Sequence, residues 1–180
     1  MFNNQKGQTL MELVVVISVA VIVVGALVFA TVSSLRNAQF AKNQSQATQL
    51  AQEAIEKVRV VRDRNQAISG LSNGTVTITK WNGDGTPNSS LWDYQISSGC
   101  GSSVNCYFYV TDQGVLKYIA SSASMPPNAE NIPPAFQRVI ILSDDSATYL
   151  NQKTVTAIVQ WTDFSGIHQS KLTTILGKPQ

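Results

Sequence analysis

The stretch that decides the fold begins at Lys6-Gly7 and continues as QTLMELVVVISVAVIVVGALVFATVSSL over residues 8–35. Residues 13–35 hold no charge, and these 23 residues would extend about 34 Å as a helix, enough to cross a hydrocarbon core of about 30 Å. Lipid offers no partner to unpaired backbone groups, so the many Val and Ile residues do not prevent a helix there. We therefore expect a membrane-length helix at the amino terminus.

Glu12 places a single carboxylate at the head of this apolar run. Such a charge costs roughly 2.5–3.5 kcal/mol near the centre of a membrane span, and less towards its end. An ionisable residue in this position indicates a function and calls for a partner. A buried cation would be a suitable partner, because paired charges tolerate burial better than single ones.

The stretch Lys6-Gly7-Gln8-Thr9-Leu10-Met11-Glu12 resembles the cleavage signal of type IV pilins and the related pseudopilins. The resemblance implies that a prepilin peptidase cuts between Gly7 and Gln8 on the cytoplasmic face, and that the new amino terminus on Gln8 is N-methylated. It also implies that Glu12 pairs with the terminal amine of a neighbouring subunit, with the Thr9 hydroxyl helping to bind that amine. The family usually has Phe after the cut, where this chain has Gln8.

Two simpler interpretations compete with this one. A secretory signal peptide could end at Val28-Phe29-Ala30, with Lys6 as its basic region, but the apolar run is longer than is usual and follows Glu12. A plain single-span anchor is the other alternative. Lys6 on one side and Arg36 and Lys42 on the other do not decide its orientation, so the inward leader is taken from the resemblance.

A helical pattern continues beyond the apolar run, because residues 36–66 contain no Pro or Gly. We expect one helix from Thr9 to about Ala67, capped by Gly70, with Glu53–Lys57 and Arg59–Asp63 as ion pairs one turn apart. Residues 50–59 also resemble the second half of the helix in accessory pilins and minor pseudopilins. The apolar stripe on this helix consists of Ala47, Leu50, Ala51, Ala54, Ile55, Val58 and Val61.

After Gly70 the pattern changes to alternating, β-branched strands. Strands are expected at 75–79, 92–96, 107–111, 115–119, 136–142, 154–161 and 167–176. Asp112-Gln113-Gly114 is typical of a hairpin turn, and the four prolines within 121–135 predict a surface loop. The last hairpin resembles the carboxy-terminal sheet of pilus-modification pilins and one class of minor pseudopilin. One face of its first strand, expected against the helix, carries Val155, Ala157, Val159 and Trp161.

Composition argues against several classes of function. Charged residues are 13% of the chain and the net charge is +2, unlike an electrostatic binder of nucleic acid. The basic residues Lys57, Arg59, Arg62 and Arg64 are interleaved with acids, which is typical of a solvated helix face. With a single His, the chain predicts no zinc site.

Cys100 and Cys106 are the only cysteines. In an exported head we expect them to form one disulfide, which closes a short loop, with two free thiols as the alternative.

The remaining candidate sites are weak. Trp81 and Trp92 suit a stacking platform or, better, core packing, and Asn82-Gly83-Asp84-Gly85-Thr86 only partly resembles a calcium loop, since it lacks the distal Glu. Ser143-Asp144-Asp145-Ser146 is simply interpreted as a turn. His168 has no expected carboxylate partner and is assigned to surface or packing.

The expected architecture is therefore α+β and pilin-like, a long amino-terminal helix on a small antiparallel sheet. Its segments are a leader (1–7), a membrane and filament-core helix (8–35), an amphipathic continuation (36–69) and a β-rich head (70–180). The resemblance implies a structural, accessory subunit of a type IV pilus or pilus-like filament, with no catalytic residue, cofactor or metal.

The implied partners are prepilin peptidase, other pilin subunits and an inner-membrane assembly platform, with nucleic acid not expected. The subunit would wait in the cytoplasmic membrane with its head exported and then enter an extracellular or periplasmic filament. One alternative is a minor pseudopilin of a type II secretion system. The other is a membrane-anchored binding module, such as an adhesin or a DNA receptor.

Overall fold

The computed structural model describes residues 5–66, 68–71, 74–78, 90–100 and 104–179. One long helix precedes a predominantly antiparallel sheet, which confirms the α+β organisation. In chain order the elements are α1 (Gln5–Asp63), β1 (Ile68–Ser69), β2 (Thr77–Ile78), a 3-10 turn (Leu91–Asp93), β3 (Tyr94–Gln95), a second 3-10 turn (Ile96–Ser98), β4 (Asn105–Val110), β5 (Leu116–Ser122), β6 (Glu130–Ile132), β7 (Phe136–Ser143), β8 (Gln152–Asp163) and β9 (Gly166–Gly177).

The chain forms two compact units, Met1–Lys42 and Asn43–Gln180. In the first unit, the described residues belong to α1 alone. The second unit, called the head below, contains the rest of α1 and all the described strands.

The main sheet of the head has the order β1-β5-β4-β7-β8-β9, with β6 added beside β7. All its pairings are antiparallel except that of β1 with β5. The hairpin expected around Asp112-Gln113-Gly114 forms between β4 and β5, and Thr111 N donates to Val115 O at 2.9 Å. The three long strands expected at the carboxyl end also form, as β7, β8 and β9.

The core of the head lies between α1 and one face of this sheet. On α1 the predicted stripe is buried, with Ala51 and Val58 at 0% exposure and Leu50 partly covered. Val155, Ala157, Val159 and Trp161 of β8 belong to the same cluster, as predicted. Small alanines let the helix approach the sheet closely, and each fully buried Val contributes on the order of 1.5–3 kcal/mol.

The end of α1 differs from the expectation. The helix ends at Asp63, and Asn65 adopts a left-handed φ of 50°. Gln66 N donates to Val61 O at 3.1 Å and Asn65 N donates to Arg62 O at 3.0 Å. These two bonds form a Schellman motif, in which Asn takes the left-handed position that Gly usually holds.

The prediction that Gly70 caps the helix was therefore wrong. It has a positive φ of 82° and lies beside β5, where a Cβ would meet the Tyr118 backbone oxygen at 3.5 Å. The positive φ of Gly70 sets the direction of the chain after β1. The described residues of 36–69 that follow Asp63 do not continue the helix.

One of the two predicted ion pairs forms. Lys57 Nζ lies 2.8 Å from Glu53 Oε1, as expected. The prediction of an Arg59–Asp63 pair was wrong. Arg59 pairs with Glu56 at 2.6 Å, and Asp63 pairs with its neighbour Arg62 at 2.8 Å. Side chains three and four residues apart are equally near on a helix, so spacing alone could not choose between these partners.

The prediction of a strand at 92–96 was mostly wrong. Asp93 Oδ2 accepts from Ser90 N at 2.8 Å and from Ser90 Oγ at 3.1 Å, which closes a 3-10 turn over the start of this segment. Only Tyr94–Gln95 remains extended, and it pairs with β2, which is itself shorter than the expected 75–79 in the described part of the chain.

The segment 121–135 is more ordered than its prolines suggested. β5 continues to Ser122, and β6 pairs with β7. The prolines at 126, 127, 133 and 134 flank β6 and leave its own N–H groups free to pair. Between β5 and β6 the chain packs on the sheet face opposite α1, where Ala129, Tyr107 and Val139 are buried in a second cluster.

Candidate assembly segment

The first part of α1 is apolar on all its sides and exposed in the single chain. Every residue from 10 to 42 is exposed, including Leu10 at 66% and Phe29 at 77%. In the described part of the chain, α1 is the one helix long and apolar enough to cross a membrane. A helix apolar all round lacks the single buried stripe of a soluble surface helix, so it needs lipid or other subunits around it.

Glu12 is the exception on this segment. It is exposed, and it is the only charged residue within 10–35. By contrast, Ser18 Oγ donates to Val14 O at 2.7 Å, and Thr31 Oγ1 donates to Val28 O at 2.8 Å. These hydroxyls are satisfied by their own helix, whereas a carboxylate in lipid or in a packed filament needs a cation from outside the helix.

The other predicted processing residues lie just before Leu10. Gly7, Gln8 and Thr9 are within α1, and their side chains fall outside the described part of the structure. The structure therefore places Gly7, Gln8 and Thr9 on the same helix as Glu12.

The predicted disulfide is present. Cys100 and Cys106 are bonded, with Cα atoms 5.5 Å apart, and both are buried. The bond ties the segment after the second 3-10 turn to β4. Just before it, Gly99 lies so close to residue 75 that a Cβ would come 1.4 Å from Thr75 O.

The weaker candidates acquire simpler roles. Lys57, Arg59 and Arg62 are each paired with an acid of the same helix, in agreement with a solvated face. Trp92 is 1% exposed and belongs to the core. Trp81 and the stretch 82–86 lie outside the described residues. Within the described chain, no group of three His, Cys, Asp or Glu residues is placed to hold a metal.

His168 does have a carboxylate partner, contrary to the expectation. Its Nε2 lies 2.9 Å from Asp163 Oδ1 and 3.0 Å from Ser165 Oγ, across the turn between β8 and β9. The Ser165 hydroxyl, which donates to Asp163, holds the pKa of that carboxyl below its usual range. Both neighbours meet the same ring nitrogen, whereas a catalytic triad needs the acid on one nitrogen and the nucleophile on the other.

The sequence reasoning missed a buried ion pair between Lys153 and Asp144. Both side chains are fully buried and in contact, and Lys153 Nζ also donates to Tyr94 O at 2.5 Å. Asp144 accepts from Ile96 N at 2.9 Å and from Ser97 N at 2.8 Å. Burial lowers the pKa of Lys153. A signal existed, since Lys153 has the same strand parity as Val155 on the apolar face.

Arg138, in the middle of β7, makes a second set of buried contacts that the sequence analysis did not predict. It is 2% exposed and forms two 2.8 Å bonds to Glu130 of β6, one to each carboxylate oxygen. It also donates to Leu50 O at 3.0 Å and lies 3.4 Å from Glu53 Oε1. Burial opposes its charge, but Glu130 and Glu53 together raise its pKa. One guanidinium thus joins α1, β6 and β7.

The comparisons with known proteins bear on the amino terminus. The model of the prokaryotic N-terminal methylation motif matches residues 2–28. Neither the comparison with curated proteins nor that with solved structures finds a match for this chain. The matched residues contain Gly7, Gln8, Thr9 and Glu12 together with the start of the exposed apolar helix. Residues 2–28 therefore carry the prokaryotic N-terminal methylation motif, which is type IV pilin-like, at the start of a long apolar helix.

Proposed function

We propose that this chain is a structural subunit, of the accessory kind, of a type IV pilus or pilus-like filament. The observation that carries the proposal is the exposed apolar helix with its single carboxylate, Glu12, inside the matched methylation motif. The role is mechanical: the helix packs among neighbouring helices and the head is displayed on the outside. This role does not require the head to catalyse a reaction.

Maturation comes first in this scheme. Prepilin peptidase removes residues 1–7 by cutting between Gly7 and Gln8, and the new amino terminus on Gln8 is methylated. Gly7 suits the cut because it has no side chain to obstruct the approach of the peptidase. Until assembly, residues 13–35 hold the subunit in the cytoplasmic membrane, with the head on the far side.

Assembly then replaces lipid by other subunits around the helix. The terminal ammonium of one subunit pairs with Glu12 of its neighbour, and the Thr9 hydroxyl supports the amine. An inner-membrane platform supplies the subunits to the growing filament. Because each charge is costly without the other, the pair favours one register of neighbouring helices over all others.

The decisive experiment is the intact mass of the full chain after co-expression with a prepilin peptidase. We expect the loss of residues 1–7, with or without one added methyl group. An uncut chain would instead indicate a plain anchor. Loss of everything through Ala30 would indicate a secretory signal peptide, and either result would remove the proposal.

A minor pseudopilin of a type II secretion system is the second candidate, because the matched motif covers only residues 2–28 and the amino terminus resembles that of pilins and pseudopilins alike. The mass experiment does not separate them. Deletion of the gene does: loss of surface pili supports the first proposal, whereas loss of protein secretion with intact pili supports the second.

A further inference from the structure

The turn between β8 and β9 carries two large apolar side chains on its surface. Phe164, in the turn, is 63% exposed, and Ile167, at the start of β9, is 69% exposed. Asp163 and Gly166 form the last residue pair of the β8–β9 hairpin, and only residues 164 and 165 lie between them. We call Phe164 and Ile167 the apolar tip. Large apolar side chains grouped on a surface are candidates for contact with a partner.

Two contacts inside the head show in which direction β9, which begins at this tip, runs relative to α1. Thr48 Oγ1 lies 3.2 Å from Ser170 Oγ, and Arg62 Nη1 lies 3.5 Å from Gly177 O. The helix advances about 21 Å from Thr48 to Arg62, and the strand advances about 23 Å from Ser170 to Gly177. The helix and β9 therefore run side by side in the same direction.

The tip consequently lies at the end of the head where its helix begins. Asn43, the first residue of this unit, precedes the Thr48 contact by about 7.5 Å of helix. Gly166 precedes the Ser170 contact by about 13 Å of strand. The apolar tip thus reaches the level of Asn43.

The length of chain before Asn43 limits how far this end can be from a membrane. Residues 36–42 are all that separates Leu35, the end of the apolar run, from Asn43. The eight Cα–Cα steps from Leu35 to Asn43 span at most about 29 Å in any conformation. If residues 13–35 cross the bilayer, Asn43 therefore lies no further than this distance from the end of the membrane-spanning segment.

We propose that, before assembly, the apolar tip inserts into the interfacial layer of the same bilayer that holds residues 13–35. This inference rests on the proposed function for its membrane segment. Asp163 Oδ1 accepts from Ser165 N and from Ser165 Oγ, both at 2.7 Å, so the turn is already ordered. A pre-ordered turn loses little conformational freedom on insertion. The head is then held on the membrane at two points.

Ile175 provides a matched control within the same strand. It is 63% exposed and lies on the same face of β9 as Ile167, eight residues further on. That separation places it about 26 Å from Ile167, at the opposite end of the strand. We expect Ile175 to remain in water under conditions in which Ile167 contacts lipid.

The test uses the full chain reconstituted in phosphatidylcholine–phosphatidylglycerol vesicles. Ile167→Cys, Ile175→Cys and Leu27→Cys each supply one reactive thiol, because Cys100 and Cys106 are bonded to each other. Each thiol receives an environment-sensitive NBD fluorophore, and brominated lipids serve as quenchers. We expect the probes at 27 and 167 to be blue-shifted and quenched, with at least threefold stronger quenching at 167 than at 175. Adding Phe164→Ser to the 167 probe should weaken its quenching, and Phe164→Leu should preserve it.

The outcomes separate this inference from the function on which it rests. If the probe at 27 is quenched while that at 167 behaves like that at 175, the membrane anchor stands and the tip insertion is overturned. If the probe at 27 is not quenched, the membrane segment itself fails, and the tip insertion fails with it. A probe at 167 that is shielded only at high protein-to-lipid ratio, without quenching by brominated lipid, indicates contact between copies and also overturns the inference.

Discussion

Glu12 shows how much one side chain can demand of its surroundings. It is the only charged residue within 10–35, so these residues offer it no cation. A side chain with this property is tolerated in the membrane only near the interface, and in a packed filament only with a partner. Its effect should therefore appear in assembly and be small in insertion.

We expect Glu12→Val to leave membrane insertion intact and to reduce incorporation into filaments at least tenfold, because the neighbour's terminal ammonium loses its partner. Membrane fractionation and immunoblotting of sheared filaments measure the two steps. Ser18→Val is the matched control, since the Ser18 hydroxyl is satisfied by Val14 O of its own helix. Normal incorporation of the Glu12 variant would contradict the proposed pairing.

Gly99 is constrained by space. A Cβ at this position would lie 1.4 Å from Thr75 O, a distance that only a backbone shift could relieve. We predict that Gly99→Ala lowers the free energy of unfolding by about 1–3 kcal/mol or more. Gly177→Ala, where no atom lies within 4 Å of the added Cβ, should change it little. Thermal unfolding of the full chain in detergent compares the two, and equal stabilities would refute the close approach.

At the scale of elements, Arg138 joins α1 to two strands of the sheet. Its guanidinium bonds Glu130 on β6 and Leu50 O on α1 from its position in β7. Removing one member of a buried pair leaves the other without a partner in a poorly solvated place. The attachment of α1 and of β6 to β7 should therefore depend on this residue together with the apolar core.

We predict that Arg138→Leu destabilises the head by about 3–5 kcal/mol, the range typical of a broken buried ion pair. Arg59→Leu is the control, because its pair with Glu56 is exposed and such pairs contribute about 0–1 kcal/mol. Chemical unfolding followed by tryptophan fluorescence reports the difference, since Trp92 and Trp161 are in the core. Similar midpoints for both variants would show that the Arg138 contacts add no stability.

At the scale of the whole molecule, the two units have opposite relations to solvent. The described apolar side chains of the first unit are exposed, whereas Ala47, Ala51, Ala54, Val58 and Val61 of the head's helix are fully buried. The second half of α1 is thus part of the head's core, while the first half is available to lipid or to other subunits.

A pair of truncations tests this division. A chain of residues 36–180 retains the core side of α1, and we expect it to be monomeric with cooperative thermal unfolding. A chain of residues 68–180 exposes the apolar face of the sheet, including Val155 and Val159, and we expect it to aggregate. Size-exclusion chromatography and circular dichroism distinguish them. A well-folded shorter chain would show that the helix is dispensable for the head.

Much of this arrangement follows from local patterns. The apolar run, the stripe from Ala47 to Val61, and the alternation in β8 each repeat with the period of their own element, so the sequence was sufficient to predict them. The pairing of Cys100 with Cys106 followed because these are the only cysteines. The methylation motif is likewise contiguous, so the residues of the candidate site could be recognised, although their roles in assembly remain predictions.

Local sequence patterns predicted a membrane-length helix with one carboxylate, a helix-on-sheet head, and the hairpins of β4 with β5 and of β8 with β9, because each depends on neighbours along the chain. The tertiary structure was needed to define the partners of Lys153 and Arg138, the end of α1 at Asp63, the place of β4 beside β7, the strand within the proline-rich segment and the carboxylate beside His168. Each of these depends on which distant or competing polar group satisfies a charge or a backbone group, and that choice is made by packing.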